Sequence, residues 1–157
     1  MQDIAHKLDD NAKTAVVEGL HNALADVSIA TKKAQFYHWN VRGMAFGSLH
    51  ALFEQIYNDH FGAQDEIAER IRAIGAFTEG SYAEALERTK IEEAKKVIPA
   101  AEMVEDMART QEAISARLQE LAETASGNGD DLTEDMAIGR AQVHEKFAWI
   151  LRAHLDG

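Results

Sequence analysis

A single proline, Pro99, stands in a chain of 157 residues. Proline lacks a backbone donor and its ring collides with the preceding helical turn, so helix interiors exclude it. A chain almost free of proline has room for long helices, and hydrophobic periodicity fills that room with four of them. The first is expected from about Ile4 to Asn40, with a stripe through Val16, Val17, Leu20, Leu24, Val27 and Ala34. A short connection, Val41 to Ala45, contains Gly43 as a stop. The second helix is expected from about Gly47 to Ile74, ending at Gly75, with Leu49, Phe53, Ile56, Ala63, Ile67 and Ile71 on its apolar face. The third starts near Pro99, a favourable first-turn position, and ends before Gly127-Asn128-Gly129; Met103, Met107, Ile114, Leu118 and Leu121 are its core candidates. The fourth starts at Asp130 or Asp131 and runs through Ala137, Val143, Phe147, Ile150 and Leu151 to about Leu155. With Asp131 as N-cap, Glu134 falls three residues later, as in a capping box.

Between the second and third helices lie about two dozen residues, Gly75 to Ile98. A structureless loop of that length is unusual inside a domain, so Tyr82–Arg88 is expected to form a short helix there. The joints are therefore short, long and short. That order predicts an all-α fold, a ferritin-like four-helix bundle with a short helix in its long connection, built as one domain over residues 1–157.

With no cysteine in the chain, a disulfide scaffold, a thiol nucleophile and Cys-ligated zinc or iron–sulfur sites are excluded. The 27 acidic side chains outnumber 16 basic ones, for a net charge of −11. Phosphate binding is driven by Lys and Arg, so this balance argues against a nucleic-acid platform over the whole surface, whereas it suits metal cations and solubility. The start, MQDIAHKLDD, has neither an apolar export core nor an Arg-rich transit pattern. No run reaches the ~18 apolar residues of a membrane helix. A soluble, cytoplasmic protein with no membrane partner is expected.

Two of the seven histidines stand out by position. His38 closes the first helix and His50 opens the second, so they flank a tight hairpin at comparable depth. From His50 the second helix continues Glu54, Asn58, Phe61, Asp65, Glu69 at spacings of three and four, which places all six on one stripe. Such a stripe is ordinarily a solvated face. Imidazole with carboxylate also suits iron(II), manganese or zinc, and Asp65 and Glu69 together are spaced to grip a cation. Distance limits the arrangement. His50 and Asp65 are fifteen residues apart, ~22 Å along a helix at ~1.5 Å per residue, while a ligand sits within ~2–2.5 Å of its ion. One straight helix cannot supply both to one ion. Either two half-sites exist or a second chain completes the site; a twofold axis near Asn58 would set His50 of one copy opposite Asp65 of the other. Glu54, one turn from His50, is placed to bridge to a second ion.

The stretch Lys33 to Gly43 (KAQFYHWNVRG), continued by Phe46-Gly47-Ser48-Leu49-His50 and by Asp65-Glu66-Ile67-Ala68-Glu69-Arg70-Ile71, resembles the signature of the Dps family, the DNA-binding proteins from starved cells or mini-ferritins. The resemblance continues through Gly129-Asp130-Asp131-Leu132-Thr133-Glu134-Asp135 and His144 to Ala153, and so covers the whole chain. It implies a hollow shell of twelve subunits that oxidises iron(II), usually with hydrogen peroxide, and stores ferric mineral. It implies a ferroxidase centre at a twofold interface, with His38 and His50 from one chain and Asp65 and Glu69 from the partner. Glu54 occupies a position where the family often has Asp. Asp130 and Asp135 resemble the acidic lining of the family's threefold ion pores, although acidic residues also favour any helix N-terminus. Trp39, beside His38, is a candidate trap for an escaped radical. No organic cofactor is expected.

Other readings are weighed against this one. An architectural DNA-binding protein of starved cells needs basic side chains; here the N-terminus is short and acidic, and weak or absent DNA binding is expected. A conventional di-iron protein needs Glu-x-x-His on two helices, and only Glu18-Gly19-Leu20-His21 fits. A plain helical scaffold, with its histidines and acids decorative, is the third.

Overall fold

The structure, a computed structural model, describes residues 8–156. Its elements in order are α1 (Asp10–Asn40), α2 (Phe46–Ala73), α3 (Tyr82–Arg88), α4 (Ala100–Gly127) and α5 (Asp131–Ala153). The expected start of the first helix near Ile4 is corrected. The Asp9 carboxylate accepts from the Ala12 N–H at 2.8 Å and so caps a helix that begins at Asp10; Ile4 itself lies outside the described residues. Pro99 is the N-cap of α4 rather than its first helical residue.

Two helix ends show why the joints fall where they do. Gly75 has φ +98° and Gly129 has φ +74°, conformations that favour glycine. At α2, Gly75 N–H reaches Arg72 O and Ala76 N–H reaches Ile71 O; at α4, Gly129 N–H reaches Ser126 O and Asp130 N–H reaches Ala125 O. Both are Schellman closures. The second also corrects the expected Asp131 cap. Asp130 finishes α4 with its N–H and starts α5 with its side chain, which accepts from Thr133 N–H at 3.1 Å. Asp131 is therefore already helical, and Glu134 has no capping-box role.

Short joints make α1–α2 and α4–α5 the two closely packed helix pairs, with α1 also packed on α4 and on α3. The expected core positions of α2 and α4 are all buried. They fall into two apolar clusters. One gathers Leu20, Val27, Ile67, Ile71, Ile114 and Leu118. The other, at the His38–His50 end, gathers Tyr37, Phe53, Ile56, Met103, Met107 and Phe147.

The long connection is held by one buried carboxylate. Asp26 of α1, 1% exposed, accepts from Thr89 Oγ1 at 2.8 Å, Lys90 N–H at 3.0 Å and Arg117 Nε at 2.8 Å. Arg117 also donates to Arg88 O. Just upstream, Arg88 pairs with Glu79 and Glu18. The crossover is thus tied to α1 and α4 together. Asp26→Ala leaves Arg117, its side chain 10% exposed, without its anion; breaking such a pair typically costs about 3–5 kcal/mol when it is buried. Denaturant titration should show a loss of that size, against about 1 kcal/mol or less for the surface pair in Glu112→Ala.

Candidate metal centre

The last carbonyls of a helix have no partner inside it. His38 O, at the end of α1, is one of these, and His50 Nδ1 lies 2.7 Å from it. In return, His38 Nδ1 lies 2.7 Å from His50 O. A carbonyl only accepts, so both Nδ1 atoms carry the proton. With Nδ1 so engaged, Nε2 is the ring nitrogen left to each histidine for a metal. The rings stack with centroids 3.7 Å apart and planes within 15°. Phe46 stacks on His50 at 4.9 Å, and Tyr57 meets His38 edge-on at 5.3 Å. The Tyr57 hydroxyl is raised above its usual range by desolvation first and by the Glu54 carboxylate second, which places Glu54 at the same end of α2.

The remaining members of the stripe, Asn58, Phe61, Asp65 and Glu69, are exposed on α2 as the spacing predicts. Asp65 lines a groove of ≈ 420 Å³ with Lys32, Gln35, Phe61, Gln64 and Tyr82. The structure brings His38 and His50 together and keeps Asp65 and Glu69 away from them, because α2 continues unbroken from Phe46 to Ala73. Among the described residues no three His, Asp or Glu side chains of one chain converge to hold an ion.

Two other predicted positions have visible local roles. Asp130 is buried and bound by Arg70 at 3.0 Å and by the Thr133 hydroxyl at 2.5 Å. Burial alone would raise its carboxyl; the Thr133 and Arg70 contacts outweigh it and hold the group below its ordinary value. Asp135 is exposed. Trp39 is 59% exposed and carries the Lys32 ammonium over its ring at 5.1 Å, a contact that opposes removal of an electron from the indole. Sequence reasoning missed Phe46 and Tyr57 as the walls of the imidazole pair. Their spacing from His50 and Glu54 on α2 was the available signal.

Comparison with known proteins places the chain in a family. A ferritin-like domain family matches residues 17–157. The DNA protection during starvation protein 2 of Bacillus anthracis is 38% identical over 141 residues, which cover 90% of this chain and 97% of that protein. The chain belongs to the Dps family of the ferritin-like superfamily. A second relative, the DNA protection during starvation protein of Porphyromonas gingivalis, is 34% identical over 94% of this chain and 92% of its own length. The crystal structure of Dps from Staphylococcus aureus superposes with a TM-score of 0.88 at 37% identity, covering 90% of this chain and 95% of that one. Dps from Vibrio cholerae gives 0.90 at 29% identity, covering 95% and 94%, and is described as one of the ferritin-like diiron-carboxylate proteins. The all-α, ferritin-like bundle expected for a Dps chain is the fold observed.

The reciprocal carbonyl contacts give a direct check on the imidazoles. Nitrogen-15 NMR of the metal-free protein should show a proton on Nδ1 of both His38 and His50, the less common site in a free neutral imidazole. A bare Nδ1 at either ring would overturn the ligand geometry.

Proposed function

We propose that this Dps-family chain is an iron-storage and detoxification protein that oxidises iron(II) with hydrogen peroxide at sites shared between two copies. The observation that carries the reading is the locked imidazole pair, with both Nε2 lone pairs free, on the same helix as a carboxylate pair too distant to join it. The constraint is satisfied when His38, His50 and Glu54 of one copy face Asp65 and Glu69 of another across a twofold axis. Two such sites then form per dimer. In a shell of twelve copies the ferric product would be stored inside.

The donor set explains the reaction. Imidazoles and carboxylates bind iron(II) as substrate while leaving positions for peroxide, and carboxylate oxygen favours the ferric state. Two iron(II) ions each lose one electron; one peroxide with two protons takes both electrons and leaves as two waters. Delivering the electrons as a pair avoids release of hydroxyl radical. Glu54 reaches towards the second ion with a longer side chain than the family's usual Asp. Trp39 follows His38 directly in the chain and is the candidate trap for radicals that escape, a role the Lys32 ammonium over its ring works against. Asp130 and Asp135 sit at the start of α5 as the acidic lining of an ion route inward. In this assignment Asp135 presents the free charge, and Asp130, already held by Arg70, shapes the helix end. No helix among the described residues is long and apolar enough to cross a membrane, which accords with a cytoplasmic location.

Loss of a direct ligand should cost at least as much as loss of a residue that merely orients one, which is about 10–100-fold. His50→Ala and Asp65→Ala are each expected to slow peroxide-dependent iron oxidation about 100-fold while assembly is retained. Assembling the two variants together should restore part of the rate, since one interface site of a mixed dimer keeps both residues. Full activity in either variant, or no recovery on mixing, would refute the shared site.

The architectural alternative is tested separately. The acidic surplus predicts weak or no retardation of DNA by the iron-free protein in a gel-shift assay, even at low salt. Tight retardation would make DNA compaction a principal activity.

A further inference from the structure

Between the two apolar clusters the bundle contains a polar layer. His60 of α2 lies between Ile56 and Ala63, Gln111 of α4 between Ala108 and Ile114, and His144 of α5 between Ala141 and Phe147. All three polar residues are 0% exposed, and Arg140 is 8% exposed. Burying such groups is costly unless every one finds a partner.

Their contacts form a closed circuit with one consistent set of proton positions, and among the described residues only Arg140 Nε is left buried without a partner. Arg140 Nη2 lies 2.8 Å from His144 Nε2. A guanidinium only donates, so His144 Nε2 is the acceptor. His144 Nδ1 then carries the proton and donates to Gln111 Oε1 at 2.7 Å. The Gln111 amide nitrogen donates to His60 Nε2 at 3.0 Å, which again must be bare. His60 Nδ1 donates to Asp59 Oδ2 at 3.1 Å. Asp59 closes the circuit by accepting from both Arg140 Nη atoms, at 3.1 and 2.7 Å. Arg140 is the source, Asp59 the sink, and two neutral histidines with a glutamine form the connection between them.

We propose that this layer is an acid-sensitive latch across α2, α4 and α5, closed while both imidazoles are neutral and opened by their protonation. A proton on His144 Nε2 would set two N–H donors against each other at the Arg140 contact. A proton on His60 Nε2 would do the same against Gln111, and turning the amide to relieve it would break the bond to His144. The circuit therefore admits no proton at either ring without losing a bond. The charged groups acting on the rings are Asp59 of α2, Arg140 of α5 and the neighbouring imidazole; Gln111 of α4 is neutral, and none comes from α1 or α3 among the described residues. Burial is the largest influence and pushes both rings below the usual 6.5, against the opposing pull of Asp59.

The sign follows. Each histidine binds its proton more readily in the opened state, so the latch contributes fully above the ordinary value of 6.5 and progressively less as pH falls below it. The buried or paired carboxylates Asp59, Glu79, Glu112 and Asp130 are all held below their ordinary values of 3.8 or 4.5, so their effects enter at lower pH. The latch is independent of the iron reading: neither histidine is within two residues of, or in contact with, a proposed ligand.

Hydrogen exchange followed by mass spectrometry on the assembled protein, between pH 7 and 5, tests the latch. Backbone protection around Gln111 and His144, corrected for intrinsic exchange, is expected to fall below pH 6.5 by up to about 100-fold per pH unit, tenfold for each proton taken up. His60→Gln or His144→Gln should reduce that to about tenfold, with the double variant flat. In the same samples the slower exchange at the imidazole C2 positions reads each ring directly, so the test stands even if a variant fails to fold. Titration of either ring at or above 6.5, or unchanged protection across the range, would overturn the latch.

Discussion

The rigidity of α2 is the constraint on which the rest depends. It runs from Phe46 to Ala73 without a break, and each residue advances it by about 1.5 Å. Ligand-type side chains at its two ends therefore cannot meet within one subunit. A kink would bring them nearer, but Phe53, Ile56, Ile67 and Ile71 are fully buried along the opposite face and hold the helix straight against both clusters. The packing that stabilises the subunit is thus the same packing that keeps its two groups of ligand-type side chains apart. Symmetry between copies is the simplest completion, because one operation brings each end opposite its complement.

Much of this was legible in the residues. Helix periodicity, Gly75 and Gly129 marked the elements and two of their ends, and the short-long-short joints gave the bundle. The stripe from His50 to Glu69 could be read because side chains recur at fixed angles on a helix. The atoms that lock the imidazoles could not, since they are main-chain carbonyls and every residue has one. Caps were similarly ambiguous: Asp130 and Asp131 are chemically equal candidates, and the choice depends on Arg70, sixty positions upstream in the chain and adjacent only after folding. The start of α1 was overextended because the apolar pattern says little about where the first turn is capped.

Two pairs of histidines in this molecule differ in what their Nε2 atoms meet. His38 and His50 hold their Nδ1 protons on backbone carbonyls and keep Nε2 free. His60 and His144 have the same tautomer, yet Nε2 in each is occupied by a donor from Gln111 or Arg140. The first pair keeps Nε2 without a partner among the described residues, where α1 meets α2. The second pair sits where solvent does not. Identical residue chemistry thus serves reactivity at one level of the bundle and cohesion at the next.

The incompleteness of the single subunit has a consequence for the protein's life before assembly. A single chain carries two imidazoles where α1 meets the start of α2 and two carboxylates towards the far end of α2. On the proposed reading neither half is a complete site, so free subunits would be chemically quiet and oxidation would begin only as copies come together around the space that receives the product. Dividing the ligands between chains would then act as a safeguard in time: the reaction would start when its container does.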